Sequence, residues 1–212
     1  MNLNTKVECY AASRPQQGRT QNEDAFLIGH EGTPFAVLCD GAGNAQQAAK
    51  RVISLFQKLI REGAPEELAA PECWQRWVKL LDSSLLGGTQ STFLAAAVSN
   101  QEVMGTCVGD SRAYLLNREG ECRTVTEGAS KFRLGSGKAE SFFIRQPLTS
   151  GDLFLLLSDG AWTPLGGPYL LRKAVVAALS KGLSEVPSAI LDAAGRTGRA
   201  DDMTAVVLRV GR

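Results

Sequence analysis

The stretch DAFLIGHEGTPFAVLCDG (24–41) decides the fold of this chain. AFLIG (25–29) and FAVLC (35–39) are short apolar runs, and HEGTP (30–34) between them carries the Gly and Pro of a turn. The spacing predicts a β-hairpin in which Asp24 enters the first strand and Asp40 leaves the second. An antiparallel return puts the two aspartates at the same end. Carboxylates at one end of a buried sheet repel each other unless a cation sits between them.

Outward from the hairpin, the same arrangement recurs. Asp110 in CVGDSR, Asp159 in LLLSDG and Asp201 in RADDMT each fall where an apolar, strand-like run starts or stops. Five such aspartates suggest a site for a hard metal. The rest of the pattern is coarse but readable. Residues 6–12 alternate as a strand. Residues 45–62 have helical spacing, with Val52, Leu55, Phe56, Leu59 and Ile60 on one face, Asn44 as N-cap and Gly63 as stop. A second helix is predicted over 72–86, where Trp74, Trp77, Val78 and Leu81 share a face and read as core. STFLAAAV, EVMGTCVG and RAYLLN make a β run over 91–117, with Asp110 in a tight turn, and 121–126 extends it. EGASKFRLGSGKAES (127–141) reads as a mobile loop. Strands follow at 141–145 and 153–158, helices at 168–181 and 185–194, and a closing strand at MTAVVLRV.

This order does not alternate strand and helix, which argues against a doubly wound parallel sheet. The prediction is an α+β fold. Two mainly antiparallel sheets pack together with helices on both outer faces, a four-layer α-β-β-α sandwich formed as a single domain over 1–212.

Composition narrows the function. The 212 residues are 44% hydrophobic and 21% charged with a formal net charge of +1, so no global field attracts nucleic acid or a membrane. The cluster of Arg196, Arg199, Arg209 and Arg212 reads as a solvated surface. The five cysteines include no CxxC pair, which suggests neither a zinc site nor a thioredoxin-type motif. None is followed at the sixth position by Arg, so a cysteine-based tyrosine phosphatase loop is absent. Cys39 and Cys107 lie inside apolar runs and read as buried hydrophobes. MNLNTKVECY lacks a signal-peptide core, and no apolar stretch is long enough to span a bilayer. The expectation is a cytoplasmic monomer.

Read in order, GRTQNEDA (18–25), LCDGAGN (38–44), GTCVGDSRAYLL (105–116), LLLSDGAW (155–162) and ADDMTAVVL (200–208) resemble the metal-dependent serine/threonine protein phosphatases of the type 2C (PPM) family. The match runs from about residue 6 to 210. It implies hydrolysis of phosphoserine and phosphothreonine in proteins by a water or hydroxide shared between two Mn²⁺ or Mg²⁺ ions. By this resemblance Asp40 bridges the two ions, the Gly41 carbonyl binds the first, and Asp159 and Asp201 bind the second. Asp110 helps hold a third, weaker ion. Glu23 and Asp24 bind metal-coordinated waters, and Arg19 grips the substrate phosphate. All-oxygen ligands suit Mg²⁺ or Mn²⁺, and a guanidinium fork fits two phosphate oxygens.

Each of these residues also has a purely structural reading. Asp110 could be an Asx-turn residue, Asp24 a strand start and Arg19 a solvated arginine. Spacing alone does not separate Asp201 from Asp202; the resemblance favours Asp201. His30, the only histidine, falls in the hairpin turn, away from the acidic ends. Ser111 and Ser158 read as turn and packing residues. The chain departs from the family pattern at Ala42, Asn44 and Gln90, and most of all in the short segment between Asp110 and Asp159. Two alternatives follow. One is a weakly active or inactive module that binds a phosphoprotein. The other, a metal-dependent nuclease, is disfavoured by the lack of a basic surface. The partners implied are a phosphoprotein substrate and a cognate Ser/Thr kinase, neither of them identifiable from residues.

Overall fold

Strand alternation sorts the side chains of this protein into three apolar layers. The structure is a computed structural model and describes residues 7–42, 46–85, 87–196, 198 and 200–211. Asn44, Leu86, Arg199 and Arg212, invoked above, lie outside the described residues. One sheet has the order β1 (Val7–Arg14), β11 (Met203–Val210), β10 (Leu153–Leu157), β7 (Arg112–Leu116), β8 (Cys122–Thr124). The other runs β2 (Asp24–Gly29), β3 (Phe35–Ala42), β5 (Phe93–Ser99), β6 (Glu102–Val108), β9 (Phe142–Pro147), and the short β4 (Gln90–Ser91) also pairs with β3. Every pairing is antiparallel.

The middle layer lies between the sheets. Ala36 and Leu38 of β3, Leu94 and Ala96 of β5, Phe154 and Leu156 of β10, and Val206 and Leu208 of β11 meet there. The alternate residues point outward. Phe35, Val37 and Cys39 pack under α1 (Gln46–Glu62) and α2 (Pro71–Ser84). Leu153, Leu155, Leu157, Ala205 and Val207 pack under α4 (Pro168–Leu179) and α5 (Val186–Gly195), beyond the one-turn α3 (Asp159–Trp162). This is the four-layer sandwich that the element order implies.

The predicted helices and strands match these elements to within a few residues. Gly63 closes α1 by donating its N–H to Leu59 O, 2.9 Å away. Trp74 and Trp77 are core, packed on each other and on Phe56. Among the described residues no helix is long and apolar enough to cross a membrane.

Residues 127–141 form the irregular loop expected of them, but their middle is anchored to distant elements. Leu134 is fully buried beneath α1 and α2. It exchanges backbone hydrogen bonds with Ser91, 3.2 and 2.9 Å long. Asp82 of α2, itself buried, accepts the N–H groups of Gly135 and Gly137 at 2.6 and 3.3 Å. A segment rich in Gly, Ser and Lys gives no periodic signal, so its order comes from these distant partners.

Candidate metal centre

At one end of the sandwich the middle layer turns from apolar to polar. Period two fixes which residues face it. Asp40 follows Ala36 and Leu38, and Asp24 precedes Ile28, on the same inner faces. Ser13 follows Cys9 and Ala11, Ser158 follows Phe154 and Leu156, and Thr204 precedes Val206. Asp24 and Asp40 stand opposite each other in the β2–β3 register, as the hairpin predicts. His30 lies at the opposite end of that hairpin and is exposed.

The structure brings Asp40, Asp110 and Asp159 together. One oxygen from each lies within 4.8 Å of the others. The strand β3 delivers Asp40, the β6–β7 turn delivers Asp110, and the start of α3 after β10 delivers Asp159. The site thus straddles both sheets. Asp40 is held by its backbone. Its N–H donates to Thr92 Oγ1 at 2.9 Å, and its carbonyl accepts the Thr92 N–H at 2.8 Å. Thr92 Oγ1 in turn shares a 2.9 Å hydrogen bond with Ser111 Oγ. The Trp162 indole N–H, 2.9 Å from Asp110 O, pins the turn that carries Asp110. Arg112 stacks 3.5 Å over the Trp162 ring. Ser158 Oγ accepts the Thr204 N–H at 2.8 Å and so joins β10 to β11.

Asp24 sits behind this trio. Thr204 Oγ1 donates to its Oδ2 at 2.7 Å, and Asn22 Oδ1 accepts its N–H at 2.9 Å. Burial raises three of these carboxyls. Asp24 is pushed up to about 7, and Asp40 to about 8 with the neighbouring Asp24 adding to the effect. Asp159 is raised by burial and by the charges of Asp110 and Asp201. A set of buried acids with suppressed ionisation is one that a cation would stabilise.

Residues 30–211 match the family model of stage II sporulation protein E (SpoIIE). The chain belongs to the SpoIIE family. Its fold is that of the type 2C phosphatases. The catalytic domain of the serine/threonine phosphatase PstP, solved with two manganese ions, superposes with a TM-score of 0.82 at 22% identity, covering 97% of this chain and 99% of that one. The S. agalactiae serine/threonine phosphatase gives 0.83 at 17% identity, over 97% and 100% of the two chains. Stp1 from Staphylococcus aureus gives 0.84 at 19%, over 98% and 96%. No curated protein matches the sequence significantly.

Within this SpoIIE-family site the other expected residues stand as follows. Gly41 is buried next to Asp40, and its N–H donates to Glu23 O at 3.2 Å. Glu23 is half-buried, with its N–H 2.6 Å from Asp202 Oδ2. Asp202 is the buried member of its pair and also accepts the Gln16 N–H at 2.6 Å. Asp201 is exposed, lies outside the trio, and acts on Asp159 through its charge. Arg19 is exposed in the turn after β1.

Sequence reasoning missed Arg133. Its Nη2 lies 3.0 and 3.2 Å from the two Asp110 oxygens, 3.5 Å from Asp40 Oδ2 and 3.9 Å from Asp159 Oδ2. The only available signal was a lone Arg beside an apolar residue inside KFRLGSGK. Beside Asp110 and Asp159 opens a cleft of about 990 Å³, walled by Arg112, Thr126, Lys131 and Trp162 among others.

Proposed function

We propose that this chain is a metal-dependent phosphatase that hydrolyses phosphoserine or phosphothreonine in proteins. One observation carries the reading. Three aspartates from separate elements of both sheets converge within 4.8 Å, in a chain of the SpoIIE family. The donors fit a hard dication, since all are carboxylate oxygens. The nearest cysteine in sequence, Cys39, faces the helix side of its sheet. A pair of Mn²⁺ or Mg²⁺ ions bound there would lower the pKa of water and neutralise charge on the phosphoryl oxygens.

In this reading Asp40, the Gly41 carbonyl, Asp159 and Asp201 would hold the two ions, and Asp110 would anchor a third. Glu23 and Asp24 orient water around them, and Arg19 binds the substrate phosphate. Ala42 offers no proton to the leaving alkoxide, so that proton comes from another group or water in the site. The 990 Å³ cleft receives the residues flanking the phosphate. The 212 residues act as one domain, a cytoplasmic bacterial signalling enzyme working as a monomer on a phosphoprotein made by a Ser/Thr kinase. What supports this is the family, the acidic trio and the near-neutral net charge.

The test is hydrolysis of an aryl phosphate and of a phosphoserine peptide by the purified chain with Mn²⁺ or Mg²⁺. Turnover should vanish in chelator and in Asp40→Ala and Asp159→Ala, and thiol blockers should leave it unchanged. Turnover that survives chelation would sink the proposal. The position of Arg133 favours one second reading, a catalytically silent module that binds phosphoprotein through the same cleft. That reading requires phosphopeptide binding with no metal-stimulated turnover.

A further inference from the structure

Arg133 carries a long side chain on an anchored stretch of backbone. Its backbone is fixed by the Ser91–Leu134 pairing, the burial of Leu134 and the Asp82 carboxylate beneath Gly135 and Gly137. From that base the guanidinium reaches the acidic trio and is largely covered, its side chain 18% exposed. One positive charge therefore stands among three carboxylates whose oxygens lie within 4.8 Å of one another. Divalent ions held by Asp40 and Asp159, and a further one held by Asp110, would sit roughly 2.0–2.1 Å from each ligand oxygen in the case of Mg²⁺. Nη2 already contacts all three carboxylates, at 3.0, 3.5 and 3.9 Å. A guanidinium and a dication cannot share that volume, and at close range they repel.

We propose that Arg133 is a tethered cation that occupies the metal position in the metal-free protein and competes with the divalent ion for it. The competition is local. Metal entry requires only that the side chain rotate out about its own bonds, while residues 134–137 keep their anchors. Two effects follow. The metal-free site stays formed, because Arg133 offsets the mutual repulsion of Asp40, Asp110 and Asp159. The ion must also displace an existing set of charge-assisted hydrogen bonds, so the metal concentration needed for loading is raised. A stronger site is thereby tuned down to respond to changes in free Mn²⁺ or Mg²⁺.

This inference rests on the reading that the trio holds a divalent ion, and one experiment separates the two. Mn²⁺ is titrated calorimetrically into the metal-free full chain, as wild type, Arg133→Met, Arg133→Lys and the control Arg145→Met. Arg145 pairs with Glu102 at the opposite end of β6 from Asp110. Losing charged hydrogen bonds that the ion must otherwise break should tighten binding roughly tenfold or more in Arg133→Met. Arg133→Lys should fall between, and Arg145→Met should match wild type. The metal-free Arg133→Met protein should also melt at a lower temperature than wild type, with a larger rise on adding Mn²⁺. Unchanged or weaker Mn²⁺ binding in Arg133→Met would overturn the inference while leaving the metal reading intact. Failure of wild type and Arg133→Met alike to bind Mn²⁺ would overturn both. Should Arg133→Met not fold, wild type decides the matter. The Arg133 Nε–H resonance must move on saturation with diamagnetic Mg²⁺, and a stationary resonance rejects the displacement.

Discussion

Metal-free protein should lose thermal stability as pH rises from about 5 to about 7.5, and Asp24 should carry a definable share of the loss. Asp24 and Asp40 face each other across β2 and β3, 7% and 9% exposed. Burial pushes Asp24 from its ordinary value of 3.8 to about 7. Hydrogen bonds from Thr204 and Ser158 oppose that rise, and the charges of Asp202 and Asp159 add to it. Asp40 is pushed to about 8, by burial first and then by Asp24, against the pull of Arg133, with Asp159 and Asp110 adding further. Below 3.8 folded and unfolded chains both keep these protons, and nothing is lost. Above it the unfolded chain ionises and the folded chain does not. Each pH unit up to the folded value then removes about 1.4 kcal/mol per group.

For Asp24 alone, the interval from pH 5 to 7 is worth about 2 kcal/mol, because the folded group is itself half ionised by pH 7, or roughly 4–9 °C in Tm for a chain of this size. The assay is a series of melts in chelator, comparing wild type with Asp24→Asn. Asn removes the titration and keeps an oxygen for Thr204. The variant should gain on wild type by about that amount as pH climbs through the interval. Saturating Mn²⁺ should flatten the wild-type fall, since metal binding selects the ionised carboxylates. A difference between the two proteins that does not change with pH would refute the claim that Asp24 is held protonated by burial.

Four further outcomes are expected. Gly160→Ala should abolish Mn²⁺ binding in titration and cost about 1–3 kcal/mol in denaturant melts. A Cβ there would run into the Asp202 backbone carbonyl and lie 3.2 Å from Asp201 Cβ, forcing the Asp201–Asp202 segment away from Asp159. Asp202→Ala should destabilise by about 2–4 kcal/mol, because the Gln16 and Glu23 N–H groups lose a buried charged acceptor. Asp201→Ala should instead leave the melt within about 0.5 kcal/mol of wild type and weaken metal binding. Arg19→Ala, at an exposed position, should leave the fold intact and raise KM for a phosphopeptide roughly tenfold. A purely solvated arginine would leave KM alone.

The parts of the site that were legible in sequence are those set by local rules. The hairpin could be read because a two-residue period and a Gly/Pro turn act within eighteen residues, and the Asp24–Asp40 register followed from it. The convergence of Asp110 and Asp159 on Asp40 was legible only as a repeated pattern of aspartates at strand ends. What the sequence hid depended on partners far along the chain. Residues 127–141 carry no periodicity, and their order comes from Asp82 and Ser91. Hence Arg133, which reaches all three carboxylates, falls in a stretch that reads as a mobile loop. Asp201 and Asp202 are adjacent and chemically identical, and only burial separates them. Asp202 is enclosed by the backbone of Gln16 and Glu23, which leaves Asp201 as the exposed member of the pair.

Stability and chemistry meet in the same layer of this sandwich. Asp40 continues the inner face of β3 that Ala36 and Leu38 begin, so the strand that fills the core also aims the carboxylate. A slip of one residue would move Asp40 to the helix side and expel Leu38 from between the sheets. The register that gives the best packing is therefore the register that builds the site. That layer ends in Ser13, Asp24, Asp40, Ser158 and Thr204, a polar end that a hard ion would require in the proposed reading. Hydroxyls on β1, β10 and β11 satisfy what they can: Thr204 donates to Asp24, and Ser13 pairs with Thr204 at 2.7 Å. Beyond that the carboxylates of Asp40, Asp110 and Asp159 need positive charge from outside the layer. Arg133 supplies one unit of it, fewer than the negative charges it faces. All three can ionise together only if a cation of higher charge takes its place, and that deficit is what would favour a divalent ion in the proposed reading.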